Sequence, residues 1–354
     1  MNCVSMLIKT TLLIFVLFVL AMLIFQAPKY YQGPVSDHFD GTRFFNPGKP
    51  MDKGFWDIIK WRWTRQPQPW PSYSELPGTD KPPQRVAGDQ LRVSFVGHVT
   101  VLLQTQGLNI LTDPVWSDRA GPVAWIGPQR VHPPGIRWED LPPIDLILIS
   151  HNHYDHLDLA TLERLWHRDH PRIIAPLGND TLIHTRIPKA KVEAHDWGKQ
   201  VVLAPEVTVH LEPMHHWSAR SPLDRNRALW AAFVLAAPGG AIYFVGDSGY
   251  GGGEYFREAK EKYTQFRLAI LPIGSYDPRW FMAYSHMNPE EAVRTFQDLG
   301  RPYTLPTHYA TFQLADTGYE APLRDLKAAM QVAAVPEERI RPLRAGDHWW
   351  VPAT

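Results

Sequence analysis

The run Leu146-Ile147-Leu148-Ile149 leads straight into Ser150-His151-Asn152-His153-Tyr154-Asp155-His156, and this junction most narrowly limits what the chain can become. Four β-favouring apolar residues predict a buried strand, and the loop at its end carries three histidines and an aspartate. Imidazole and carboxylate are the ligands that borderline divalent ions such as zinc take. His151, His153, Asp155 and His156 lie too close together to serve one tetrahedral ion comfortably, so two adjacent metals are the natural reading. A solvated polar loop is the competing reading. Placement at a strand end, where loops carry function, favours a site.

A two-metal site needs further donors, and three expected strands run into them. Val207 to Pro213 leads to Met214-His215-His216-Trp217, Ile242 to Val245 leads to Gly246-Asp247, and Pro302 to Thr307 leads to His308. A sheet would present all three along one edge. Asp247 is the candidate bridge, because a carboxylate between two cations offers one oxygen to each. Paired metals also lower the pKa of a bridging water enough to provide hydroxide near neutral pH. Any one of these histidines taken alone would read as structural; the cluster at 151–156 gives the others their meaning.

Composition agrees with a globular body. The 354 residues are 44% hydrophobic and 12% aromatic, ample for a sizeable core in one large domain or two small ones. Thirty-six basic residues balance thirty-six acidic ones, and without a basic stripe nucleic acid is not an expected partner. The 33 prolines and 24 glycines favour a loop-rich α/β or β-rich body over a helical bundle. The single cysteine, Cys3, excludes an intramolecular disulfide and a thiolate metal site.

Along the chain, residues 1–9 form a short tail. No charge occurs from Thr10 to Pro28, and Leu12 to Phe25 is almost wholly apolar, which suits a single bilayer span of roughly 20 residues. A cleaved signal peptide and a buried helix compete with that reading, but no small-x-small cleavage site is clear. The expected location is therefore a membrane, through an anchor at 10–28. Lys9 precedes the span and Lys29, Arg43, Lys49 and Lys53 follow it, which leaves the side of the membrane open. Residues 29–85, crowded with proline and aromatics as in Trp61-Arg62-Trp63, read as an extended connector without sustained period; such aromatics suit a membrane interface or simple packing on the domain equally well.

The main folded domain is expected over 86–352. Leu91 to Val96 alternates like a half-buried strand, Thr100 to Thr105 follows, Gln106-Gly107 turns the chain, and Leu108 to Thr112 makes a third strand. Helical patterns occupy Leu159 to His167 and Asp180 to Arg186, and Arg172 to Pro176 forms a strand between them. Further strands are expected at Val201 to Val202, Leu229 to Ala236 and Ala241 to Val245. A helix should start at Asn288, with Asn as N-cap, Pro289 first in the helix and Glu290 and Glu291 at the positive end of its dipole.

His151-Asn152-His153-Tyr154-Asp155-His156 resembles the signature of the metallo-β-lactamase superfamily, and the wider set resembles its N-acylphosphatidylethanolamine-hydrolysing phospholipase D branch. The likeness runs from about Arg85 to about Leu323 and includes Val96-Gly97-His98, Leu111 to Arg119, His216-Trp217-Ser218, Gly246 to Tyr250, Pro278 to Met282, His286 to Ala292 and His308 to Phe312. It implies an α/β fold, the four-layer αβ/βα sandwich of that superfamily, here preceded by the transmembrane helix. It implies one zinc held by His151, His153 and His216, a second by Asp155, His156 and His308, and Asp247 with a hydroxide as bridges. His216 is preferred to His215 because Trp-Ser follows it as in the family. His286 matches a position near the substrate phosphate, where it would bind an oxygen or assist proton transfer; packing at a helix N-terminus is its bland alternative.

The expected function is therefore dinuclear zinc hydrolysis of a phospholipid phosphodiester, with Asp155, Asp247 and His286 as the catalytic residues. Iron or manganese can replace zinc at such donors. A lactonase or other carbon-centred hydrolase is the first rival, and Ser275, Tyr276, Arg279 and Tyr284 are candidates for a polar pocket that would separate the two. A non-catalytic membrane protein keeping zinc for folding is the rival of another class, disfavoured because structural zinc sites are usually closed and often cysteine-rich. The partners expected are a phospholipid or other small substrate and a membrane; the oligomeric state, a homodimer included, stays open.

Overall fold

In the computed structural model, which describes residues 28–48, 53–263 and 265–353, neighbouring residues of one strand enter different apolar clusters. Val101 and Leu103 face one cluster and Leu102 another; Ile110 and Leu111 divide in the same way, as do Leu146 and Ile147. A sheet apolar on both faces needs cover on both. That requirement produces the four layers.

The strands are β1 (Leu91–Gly97), β2 (Thr100–Thr105), β3 (Leu108–Thr112), β4 (Leu146–Leu148), β5 (Arg172–Pro176), β6 (Val192–His195), β7 (Gln200–Ala204), β8 (Val207–Glu212), β9 (Ala232–Ala236), β10 (Ala241–Phe244), β11 (Phe266–Pro272), β12 (Tyr303–Thr307) and β13 (His348–Val351). One sheet runs β13-β1-β2-β3-β4-β5-β6 and the other β12-β11-β10-β9-β8-β7. Both are mixed: β3 to β6 pair in parallel, as do β10 to β12, and the remaining pairs are antiparallel. The inner faces meet through Val93, Val101, Leu148 and Ile174 against Leu211, Phe233, Phe244 and Ile270. The helices Leu159–Asp169 and Asn179–Arg186 cover the outer face of the first sheet with Leu162, Leu165 and Ile183. Across the molecule, Phe256, Phe296 and Leu326, from the helices Glu254–Tyr263, Pro289–Asp298 and Ala321–Val332, cover the second.

Several sequence expectations are met closely. Gln106 and Gly107 both take positive φ (53° and 74°), as a tight two-residue hairpin requires. Asn288 caps the helix Pro289–Asp298, accepting from the Glu291 amide at 2.8 Å while the Glu291 carboxylate returns to the Asn288 amide at 2.9 Å.

Others need correction. β1 is buried along its whole length rather than half-buried, because it lies between β13 and β2 in a sheet covered on both sides. The strand expected from Leu229 starts only at Ala232; the preceding residues bond outside their own sheet, Leu229 N to Leu177 O at 2.8 Å and Ala231 N to Ser150 O at 2.9 Å. The stretch 29–85 is not wholly extended, since Phe55–Thr64 forms a helix. That helix docks by stacking Trp61 on Phe281, with ring centroids 5.1 Å apart, and the chain then lies on the domain through the Gln68 amide to Asp316 O at 2.9 Å and Trp70 Nε1 to Thr317 O at 2.9 Å. Upstream, Phe39 and Phe44 are buried within the main core. The expected anchor at 10–28 falls, except for Pro28, outside the described residues. Among the described residues no helix is long and apolar enough to cross a membrane.

Asp80, just before β1, ties this leading segment to the sheet. Arg92 donates to it in fork geometry, Nη2 to Oδ1 at 2.6 Å and Nη1 to Oδ2 at 2.9 Å, and both residues are buried. Removing one partner strands a buried charge. Arg92→Ala is expected to lower unfolding stability by about 3–5 kcal/mol in equilibrium urea denaturation, whereas replacing both partners with apolar residues of similar size costs far less.

Candidate metal centre

Strand ends from both sheets deliver the polar groups to one edge. The chain leaves β1 at His98, β3 at Asp113, β4 at Ser150-His151, β8 at His215-His216, β10 at Gly246-Asp247 and β12 at His308. Backbone hydrogen bonds stitch these exits together: Asp113 N to Leu148 O at 2.9 Å, His308 N to His98 O at 2.8 Å and Met287 N to Ser248 O at 2.8 Å. His98, Asp113 and His308 hold positive φ (58°, 34° and 63°), a conformation that costs free energy at non-glycine residues and clusters at functional sites. Gly246, at φ 69°, has no alternative, because a Cβ there would meet the Ser150 side chain at 2.6 Å.

Two sets of donors converge. His151 Nε2 lies 2.8 Å from His153 Nδ1, and His216 Nε2 lies 3.2 Å from the same atom. Beside them, the Asp155 Oδ2 atom is 3.4 Å from both His156 Nε2 and His308 Nε2. Asp247 Oδ2 stands between the sets, 3.1 Å from His156 Nε2, 2.9 Å from His308 Nε2 and 3.9 Å from His216 Nε2. Donors around a tetrahedral zinc, with bonds near 2.1 Å, are separated by roughly 3.4 Å, so this spacing fits metal ligation. The hydrogen-bonding inventory agrees: Asp247 Oδ1 and His153 Nε2 are buried without a hydrogen-bond partner, which a protein leaves only for a reason.

The electrostatics point the same way. Burial pushes His153 down to about 4 and holds His151 and His216 well below the imidazole range, so these three are neutral and have lone pairs to give. Burial also opposes charge on Asp155 and Asp247, but neighbouring imidazoles outweigh it and keep both carboxyls well below their ordinary range. Two buried carboxylates call for positive charge. Without metal the call falls on His156, held well above its usual value, and on His308, lifted to about 9 against its burial by Asp247 and Asp155. Divalent cations satisfy the same demand without protonating ligands.

A further layer orients the donors. Asp113 Oδ2 accepts from His156 Nδ1 at 2.7 Å and from Ser150 Oγ at 2.5 Å, while its Oδ1 takes the Ser150 amide at 2.7 Å. Ser150 Oγ is also 2.9 Å from His151 Nδ1, so one carboxylate and one hydroxyl set the ring orientation of a residue from each set. His216 Nδ1 is held by Ser285 O at 3.0 Å, and His98 Nε2 sits 2.9 Å from Asp155 Oδ2. Sequence reading assigned no role to Asp113, His98 or Ser150. The signal was present, since Asp113 and His98 follow strands just as the expected donors do.

The structure brings together all seven expected metal donors, with His286 beside them: its Nδ1 is 3.7 Å from Asp247 Oδ2. His215 turns away and stacks on Tyr255 at 4.5 Å. The expected polar pocket of Ser275, Tyr276, Arg279 and Tyr284 is corrected, for none of the four lines the cavity above the donors. Tyr276 is engaged by Asp325 and Tyr284 by Asn46. Arg279 donates through Nη2 to both carboxylate oxygens of Glu291, at 2.9 and 2.7 Å, and through Nη1 to His286 O at 2.8 Å, which makes it a positioning residue for His286.

That cavity, of about 340 Å³, has His153, Asp155, Asp247 and His286 at its base and walls of Ile58, Trp61, Trp217, Phe281, Met282 and Leu314. Lys53 and Arg225 also border it. Because Asp113 holds His156 directly and reaches His151 through the Ser150 hydroxyl, Asp113→Ala is expected to weaken metal affinity about 10–100-fold in a chelator competition while leaving the far-UV circular dichroism unchanged.

Comparison with known proteins accords with this edge. Residues 108–309 match the Beta-lactamase superfamily domain. An uncharacterized protein of Mycobacterium tuberculosis is 33% identical over 327 residues, covering 90% of this chain and 85% of that one. An N-acyl-phosphatidylethanolamine-hydrolyzing phospholipase D of Caenorhabditis elegans is 35% identical over 244 residues, covering 66% of this chain and 68% of that one. Among solved structures, a metallo hydrolase from the archaeon Ignicoccus hospitalis shares the fold with a TM-score of 0.53 at 20% identity, over 73% of this chain and 97% of that one. The chain belongs to the metallo-β-lactamase superfamily, as a metallo-hydrolase with relatives among the N-acylphosphatidylethanolamine-hydrolysing phospholipases D.

Proposed function

We propose that the chain hydrolyses the phosphodiester of N-acylphosphatidylethanolamine-type phospholipids in the phospholipase D manner, releasing phosphatidic acid and the acylated ethanolamine. The observation that carries this reading is the cavity, whose base is polar and ligand-rich and whose walls are apolar. A lipid has the same division between phosphate and acyl chain. The similarity to the Caenorhabditis elegans phospholipase supports the choice of substrate class.

His151, His153 and His216 would hold one zinc ion, Asp155, His156 and His308 a second, and Asp247 would bridge them. Such a pair, when bound, supplies Lewis acidity to the phosphoryl oxygens and a water acidified toward neutrality. The chain's own residues do the rest. Trp61, Trp217 and Phe281 exclude bulk water from the base of the cavity and strengthen every polar interaction there. His286, pushed down to about 4 by its burial, is neutral and presents an imidazole to the space above Asp247, where it can donate a hydrogen bond to a phosphoryl oxygen or, as a base, take the proton released by the attacking water and hand that same proton to the leaving alkoxide. Lys53 and Arg225 bring positive charge to a cavity meant for an anionic headgroup. A membrane span over residues 10–28 would confine this cavity to the surface holding its substrate.

Assays of N-acylated and plain phosphatidylethanolamine beside a lactone panel, run with metal analysis, test the reading. Metal-dependent phosphatidic acid release is expected, and His153→Ala and Asp247→Asn should lose metal and turnover together. Lactone opening without phosphodiester cleavage would move the function to a carbon-centred hydrolase. Trp61→Ala should lower kcat/KM for long-chain lipids by about threefold to tenfold, the worth of one aromatic contact, and leave short-chain substrates nearly unaffected.

A further inference from the structure

The helix Phe55–Thr64 has two apolar sides. Ile58 and Trp61 face the cavity, while Trp56, Ile59 and Trp63, spaced three and four residues apart, share the other side and lie open, Trp56 at 78% and Trp63 at 89% exposure. Across the cavity, Ala120 lines the wall and leads into Gly121-Pro122-Val123-Ala124-Trp125-Ile126-Gly127, where Trp125 is 75% exposed and no residue is charged. Soluble surfaces rarely gather large apolar side chains in this way without a partner.

We infer that the helix Phe55–Thr64, which lines the cavity, and the loop 121–127, which continues from the wall residue Ala120, form a face that docks on a lipid bilayer containing anionic lipid. Tryptophan is the residue that bilayer interfaces select, because its ring is amphipathic. Charge supplies the second argument. Lys53, Lys60 and Arg62 outnumber the single Asp57 over this stretch, Arg65 being paired with Asp316, and Lys60 Nζ lies 4.8 Å above the ring of Trp280, so cations flank the aromatics as at a membrane surface. Continuity with the cavity is the third: a lipid drawn from a bilayer against this face meets the apolar walls before it meets Asp247. The identity of the surface rests on the phospholipid reading above; the exposure and charge of the face do not.

The test uses the full chain with Cys3→Ser and one new cysteine at a time, Trp56→Cys, Trp125→Cys or Val332→Cys, each carrying a nitroxide. Val332 is 91% exposed on the helix Ala321–Val332, which contributes nothing to the cavity, and serves as the reference. Vesicles of phosphatidylcholine with phosphatidylglycerol are expected to cut the accessibility of labels 56 and 125 to an aqueous nickel chelate severalfold relative to oxygen, leaving label 332 as it was. Labels 56 and 125 that stay as accessible to the chelate as label 332 would overturn the proposal and point to a protein partner. Hydrolysis of N-acylphosphatidylethanolamine doped into the same vesicles keeps the two readings apart. Immersed labels without hydrolysis retain the docking face and remove the substrate; hydrolysis with water-exposed labels does the reverse.

Discussion

The carboxylate of Asp113 sits where β3 ends, sealed from solvent, and accepts from the Ser150 amide, the Ser150 hydroxyl and His156. A buried carboxylate is costly unless each of its lone pairs is used. Here satisfying it determines where the loop after β4 can go, and with that loop go the rings of His151 and His156. The remaining donors are placed against this fixed pair by neighbouring strand exits. Gly246, without a Cβ, lets the exit of β10 lie directly against Ser150, and the bond between His308 N and His98 O brings the end of β12 alongside that of β1. The metal edge is thus a consequence of strand termini that satisfy one another before any cation is considered.

Much of this was legible in the sequence because it is local. Strand runs broken by a histidine or aspartate marked the donors, and the cap at Asn288 and the hairpin at Gln106-Gly107 depend on residue types whose backbone preferences hold in most surroundings. What escaped was mostly long-range. Asp113 could be seen to follow a strand, but only the parallel pairing of β3 with β4 puts it against Ser150 and His156. The strands Val192–His195 and His348–Val351 carry weak patterns of their own and exist because a neighbouring strand offers an open edge. The helix Phe55–Thr64 was obscured because apolar residues occupy both of its sides, so no single stripe stood out.

The same two-sidedness links the leading segment to the chemistry. Residues 28–85 supply a cavity wall through Ile58 and Trp61, a buried ion pair through Asp80 and two core phenylalanines. A connector that only spanned distance would need none of these. Its packing makes the shape of the cavity depend on a stretch well outside the matched domain region at 108–309, so chains sharing that region can differ in what they admit.

The donors are also spread widely along the chain, which gives assembly an order. The three nitrogens of His151, His153 and His216 are all available once synthesis has passed residue 216, whereas the second set waits for His308, near the last strand of its sheet. During biosynthesis, however, the carbonyl that orients His216 comes only with Ser285, at 3.0 Å, so the nitrogen-only set is fully oriented after residue 285 and its carboxylate-bearing neighbour after His308. Asp247, emerging between His216 and His308, becomes a bridge only when the second sheet closes with β12. A chain cut short between 247 and 308 would keep half a centre, with two buried carboxylates lacking one of the imidazoles that answer them.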